Sequence, residues 1–221
     1  MNVQHAENPD KPARKQQQRS IVTQQKLLDA AIEAFSENGF KGTSTRDIAD
    51  RAGVHHPLIT YHFKNKDQLW RAATNQIFRE FNISMVKAMA EVPEIRPKAR
   101  AEAFIRTYLR FSLNQPALHK IILQEAAYES DRLKWLTENH LRPLFKEVHK
   151  ALTELQELGV APPGNAALLF NMIRVCAGGL LALKHELKGT SNIDLDSDDQ
   201  IEELGQLIVR VFFPGDPPRL N

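Results

Sequence analysis

Between Ser44 and Phe63 the chain reads STRDIADRAGVHHPLITYHF, two short sets of helically spaced apolar positions parted by Gly53. In the first set Ile48, Ala49 and Ala52 recur on one helix face, and Thr45 is placed to cap that helix. A small residue at Ala49 allows a second helix to cross closely. Gly53 can take the left-handed conformation that ends a helix, and Val54 closes the corner. Pro57 suits a first helical turn, where a missing N–H costs nothing, and Ile59 and Phe63 then point inward at a spacing of four. His55, His56, Leu58, Thr60, Tyr61 and His62 remain outside. The pattern predicts a helix-turn-helix, although two packed helices with a glycine corner in any helical domain share its local signs.

The same period continues on both sides. Gln24 to Asn38 repeats Leu27, Leu28, Ala31, Ile32 and Phe35, stops at Gly39, and leaves Phe40 to pack back beneath it. After Phe63 comes the polar turn Lys64-Asn65-Lys66, then a long helix from near Asp67 carrying Leu69, Ala73, Ile77, Phe81 and Met85. Proline at 93, 97 and 116 punctuates the rest into helices near 98–114, 116–129, 131–158, 165–187 and 199–213. No convincing strand alternation appears, so the expected fold class is all-α.

The final two helices have a different texture. Ala166 to Leu183 is apolar on nearly every side and holds Gly178-Gly179, a pair that costs about 1 kcal/mol per glycine in an isolated helix. Close approach of another helix would offset that cost, and the last helix offers Ile201, Leu204, Leu207, Ile208, Val211 and Phe212. The partner can be this pair itself or the same pair from a second copy.

Composition changes this picture little, but charge placement adds to it. Apolar content of 42% and charged content of 25% are ordinary for a soluble protein, and no apolar run approaches the roughly 20 residues of a bilayer span. The polar start lacks the apolar core of a secretory signal, so a cytoplasmic location is expected. Net charge is only +2. Lys11, Arg14, Lys15 and Arg19 precede the first helix, and Lys41, Arg46, Lys64 and Lys66 surround the motif, whereas residues 194–203 are acidic. Positive charge thus gathers where a polyanion would lie. The arm is read either as a solvated tail or as a contact to nucleic-acid backbone or minor groove. The single cysteine, Cys176, forms no internal disulfide and reads as a packed thiol.

For chemistry, GFKGTS lacks P-loop spacing, and no GxSxG, HExxH or cysteine pair is present. An enzyme, a metal site and a cofactor are therefore not expected. The outward residues of the motif do offer hydroxyls and imidazoles for phosphates or base edges, and aliphatic carbon for a thymine methyl. Ser44, Thr45, Arg46, Thr60, Tyr61 and Lys66 are candidates for phosphate or positioning contacts. Lys66 stands at a helix entry, which favours anions. His55, His56, Leu58 and His62 are candidates for base edges, with Pro57 shaping the helix entry. Protonation of the histidines is expected to strengthen DNA binding below about pH 6.5. In the body, Met85, Met89, Phe104, Leu123, Tyr128 and His140 can line a cavity or simply fill a core. Tyr108, Phe111, His119 and Trp135 are the favoured ligand-binding candidates, since each combines a large face or a polar handle.

A helix ending in FSENGFKGTSTRDIADRAGV, followed by YHF, a short turn, a lysine and a leucine, resembles the amino-terminal DNA-binding domain of the TetR family of transcriptional regulators. The resemblance covers about residues 20–81. At the place where the family usually has a phosphate-binding tyrosine stands Thr60, with Tyr61 beside it, so both stay in consideration. The resemblance implies a basic arm over residues 1–19, a helix-turn-helix domain over 20–66 with the motif at 44–63, and a ligand-binding and dimerisation domain over 67–221. It implies a homodimer joined through a four-helix bundle, to which Leu169, Ile173, Gly178, Leu181, Leu204, Ile208, Val211 and Phe212 are assigned. It also implies a double-stranded DNA operator and a small-molecule effector. The expected function is that of a ligand-responsive repressor released from a palindromic operator, with an activator or a global DNA binder of the same fold as the alternative, and a helical enzyme or protein-interaction module as the more distant one.

Overall fold

The computed structural model of the protein describes residues 10–215, with side chains from residue 16 onward; the arm expected over residues 1–19 lies outside the described residues as far as residue 9. All regular structure among the described residues is helical. The chain divides into two units, one ending at Gln76 and the other beginning at Ile77.

In the first unit, α1 (Asp10–Gly42) is broken at Gly39, whose φ of 67° only glycine adopts without strain. That break returns Phe40 to stack on Phe35, ring centroids 5.9 Å apart. The Thr43 hydroxyl lies 3.0 Å from the Ala34 carbonyl and 2.7 Å from that of Gly39, so it serves backbone groups that the break frees. α2 (Thr45–Ala52) packs on α1 through Ile48 and Ala49, both fully buried. Across the outer side of this contact, Arg51 is ion-paired with Glu37 at 2.8 Å, Asp47 at 3.3 Å and Glu33 at 3.8 Å. α3 (Pro57–Phe63) anchors itself inward through Ile59 and Phe63, and the first turns of α4 (Lys66–Ala90) add Leu69, Trp70 and Ala73 to the buried set.

The second unit comprises the rest of α4, α5 (Pro97–Asn114), α6 (Ala117–Ala126), α7 (Asp131–Leu136), α8 (Arg142–Glu157), α9 (Ala166–Arg174), α10 (Leu180–Ala182), α11 (Lys184–Ser191) and α12 (Asp198–Phe212). Two wide π-type turns interrupt the long stretches, at Thr137–Leu141 and at Val175–Gly179. The second explains the glycine pair. A Cβ on Gly178 would overlap the His119 ring and come within 2.7 Å of the Tyr108 hydroxyl, so the helix backbone there lies directly on α5 and α6 side chains.

His119 is almost fully enclosed at 7% exposure, with Nε2 2.7 Å from the Ser112 hydroxyl oxygen. Because that hydroxyl donates to the Tyr108 carbonyl at 2.7 Å, Nε2 carries the proton and donates, leaving Nδ1 bare towards Gly178. Burial, with a smaller contribution from the Arg174 charge, pushes the His119 imidazole down to about 4. An unfolded chain takes up that proton near pH 6.5, whereas the folded one resists it until about 4. Between those values the unfolded state binds more protons, so the body is expected to lose on the order of 3 kcal/mol as pH falls through this window, with no such loss above it. Urea unfolding at stepped pH measures the slope, and His119→Leu should flatten it.

Candidate nucleic-acid interface and body cavity

The interface is built from the turn outward. Ser44 is extended (φ −103°, ψ 151°) and its hydroxyl accepts the Asp47 N–H at 3.0 Å, so Ser44 caps α2 and Thr45 is its first residue. Thr45 is thereby displaced from the expected capping role. Gly53 is left-handed at φ 63°, and the Val54 N–H reaches the Ala49 carbonyl at 3.0 Å, which fixes the corner. Pro57 opens α3 as expected.

On the outer face, Ser44, Arg46, His55, His56, Pro57, Thr60 and Tyr61 are exposed, and Thr45, Leu58, His62 and Lys66 are half-buried. Tyr61 keeps 76% of its surface in solvent. Its ring meets that of His62 edge-on at 5.0 Å. Partial burial lowers the His62 imidazole below its ordinary value, so this histidine charges only further into acid than the sequence expectation allowed. Asn65 caps α4 by accepting the Gln68 N–H at 2.9 Å, and the Lys66 ammonium sits over the Phe40 ring, 4.4 Å from its centroid. That cation–π contact holds the charge near the start of α4.

Thr45 and His56 are joined across the motif, Oγ1 to Nε2 at 2.9 Å. Sequence reading placed them in separate roles and missed this bond, since they lie eleven residues apart on different elements. The bond orients an otherwise exposed imidazole at the entry to α3.

The second unit holds a cavity of about 1420 Å³ walled by α4, α5, the 137–141 turn and α8. Met85, Met89, Phe104 and His140 line it, whereas Tyr108, Phe111, His119 and Trp135 are not among its lining residues. Two of them touch lining residues, Tyr108 stacking on Phe104 at 6.2 Å and Trp135 meeting His140 at 5.3 Å; His119 contacts Tyr108 at 5.4 Å, and Phe111 meets Phe81, itself outside the lining, edge-on at 5.4 Å. His140 lies flat on Phe78 at 4.3 Å, and burial lowers its imidazole too. The wide turn at 137–141 carries both Asn139 and His140 to the wall. Sequence reading did not single out Phe78 and Arg100, which also line the cavity.

The terminal helices sort their apolar residues into two faces. Leu169, Ile173, Gly178, Leu181, Ile208 and Phe212 are buried within the chain, and Leu204 is half-buried. Val211 stays exposed, together with Leu168, Met172, Val175, Leu183 and Leu207. α12 packs beside α9 and the 175–179 turn, so the exposed side chains occur on neighbouring elements.

Residues 27–73 match the family model of bacterial regulatory proteins, tetR family. The Probable HTH-type transcriptional regulator YttP of Bacillus subtilis is 22% identical over 121 residues, 55% of this chain and 58% of YttP's length. The HTH-type transcriptional regulator RutR of Escherichia coli K12 is 24% identical over 193 residues, 87% of this chain and 90% of RutR. The fold is shared with AibR, solved in complex with isovaleryl coenzyme A and operator DNA, at a TM-score of 0.71 and 16% identity over 88% of this chain and 100% of that one. With the capped helix-turn-helix and its outward polar face, the match over residues 27–73 identifies this amino-terminal part of the chain as a tetR-family DNA-binding domain, and the chain as a whole is similar to HTH-type transcriptional regulators.

Proposed function

We propose that the protein is a homodimeric repressor that grips a palindromic operator with two copies of α3 and lets go when a small organic molecule enters the body cavity. The observation that carries the ligand-responsive part is the cavity itself: about 1420 Å³ of mostly apolar space in the unit that does not contain the helix-turn-helix. AibR, of the same fold, was solved with a ligand and operator DNA together. A ligand acts on operator affinity only through its differential affinity for two arrangements of the dimer.

The exposed residues Leu168, Met172, Val175, Leu207 and Val211 form the dimer surface in this reading, with the buried residues of the same helices supporting them. Two subunits bring two recognition helices to successive major grooves about 34–36 Å apart. An activator uses the same parts, and the breadth of its chromatin footprint and the direction of transcriptional change on gene deletion separate it from a repressor.

Within the interface, Lys66, Ser44, Arg46, Thr60 and Tyr61 position the protein on phosphates, and His56 reads a base edge with Thr45 orienting it. Lys66→Ala should weaken all DNA alike and reduce the salt slope by about one. Thr45→Val keeps the shape but removes the hydroxyl. It should relax preference at the base pair that His56→Ala also relaxes, by about 1 kcal/mol or less, while leaving bulk-DNA affinity nearly unchanged. Gel shifts on selected sites and single-base variants read both effects. Equal loss of specificity from Lys66→Ala and Thr45→Val would contradict this division. For the function as a whole, genomic fragments are titrated at rising salt, and no fragment preferred over bulk DNA would overturn it.

A further inference from the structure

Among the described residues Arg100 is the one arginine that lines the cavity. Its Nη1 donates to the carbonyls of Met89 at 3.2 Å and Val92 at 3.0 Å, where α4 ends. Those two bonds clamp the guanidinium through Nη1 and leave the Nε–H and Nη2–H donors to face other groups, and no carboxylate is paired with Arg100 among the described residues. The Nε/Nη2 edge is the planar fork that receives a carboxylate in two parallel hydrogen bonds.

The other charged groups on the wall are placed differently. Glu94, Glu147, Lys150 and Glu154 are exposed, and Lys150 already faces Glu154 at 3.9 Å, whereas Arg100 is half-buried. Charges in water are screened and contribute little to a ligand, while a half-buried fork beside Phe104 and Ile105 acts in a lower dielectric. Among the described residues the lining has no serine, threonine or tyrosine hydroxyl, and its uncharged polar side chains are Asn82, Asn139 and His140 amid a majority of apolar ones. Most of the ligand's surface must therefore be hydrocarbon, and its strongest polar anchor is Arg100.

We infer that the cavity takes an amphipathic carboxylic acid, an extended apolar body ending in a carboxylate held by the Nε/Nη2 edge of Arg100. This rests on the cavity being the effector site. The volume, larger than the 300–1,000 Å³ of common ligand pockets, suits a chain of medium or greater length. The clamp on the end of α4 makes Arg100 more than a stem with a mobile charge. It presents the fork already oriented, so little side-chain entropy is lost on binding.

The test uses the full-length protein near neutral pH, with calorimetric titration of decanoate, decanol and decyltrimethylammonium below their micelle concentrations, and operator release measured alongside. Decanoate is expected to bind about tenfold more tightly than decanol, as a charge-assisted pair requires, and more tightly still than the cation. Arg100→Gln should erase the preference for decanoate while keeping the affinity for decanol, and Arg100→Lys should restore part of it. Should Arg100→Gln fail to fold, the wild-type ranking and its decline with added salt decide the matter. Preference for decanol or the cation, with operator release intact, overturns the carboxylate inference and leaves the regulator reading standing. Binding of none of the three overturns both the inference and the cavity's role.

Discussion

Replacing Leu207 and Val211 together by glutamate is expected to give a folded monomer whose operator affinity is on the order of a hundredfold below that of the wild type. The two side chains are 45% and 62% exposed in the protomer, so charge there meets water and costs the single chain little. In a two-fold dimer the same pair is buried twice, and four carboxylates would face an apolar seam with no partner. One helix-turn-helix neutralises too few phosphates to hold a site tightly alone. Light scattering reports the mass, circular dichroism the helicity, and fluorescence anisotropy with labelled operator the affinity. A variant that remains dimeric with full affinity would show that another face joins the subunits.

Gly178→Val is expected to lower the melting temperature of the body by about 6–12 °C, whereas Gly179→Ala should be nearly silent. The two glycines are adjacent in sequence but not equivalent in space. A side chain at Gly178 runs into His119, itself enclosed and bonded to Ser112, and into the Tyr108 hydroxyl, so neither neighbour can retreat cheaply. A methyl at Gly179 meets Val175 Cγ1 at 3.4 Å, an ordinary contact, and better helix propensity offsets it. Thermal unfolding followed by circular dichroism compares the two. A shift of less than about 2 °C for Gly178→Val would mean that the helix does not rest on α5 and α6 as described.

What sequence reasoning read well was local. Gly53, Pro57 and the Ile59/Phe63 pair are dictated by backbone conformation and by a spacing of four, and each sits where those constraints put it. The cap fell on Ser44 instead of Thr45 because two adjacent hydroxyl residues satisfy the same rule, and only backbone geometry distinguishes them. For α9 to α12, an apolar pattern on nearly every side does not say which stripe turns inward. Backbone and packing settle it: the regular period of α9 turns Leu168, Met172 and Val175 out while Leu169 and Ile173 face in.

The cavity was less legible, because the residues that line a pocket are of the same types as those that fill a core. Phe104 is on the wall and Tyr108, one turn later, is behind it. Arg100 carried no sequence signal, since an arginine in a helix ordinarily reads as surface. Only the bonds to Met89 and Val92 reveal that its stem is folded against the end of α4.

A symmetric mode of DNA reading is tested most directly by selection of bound sequences from a random duplex pool by the full-length protein. It predicts an enriched motif with two-fold symmetry, half-sites about 10–10.5 base pairs apart or a multiple of that, and two chains per site. Enrichment of a single asymmetric half-site bound by one chain, or none over bulk DNA, would contradict it.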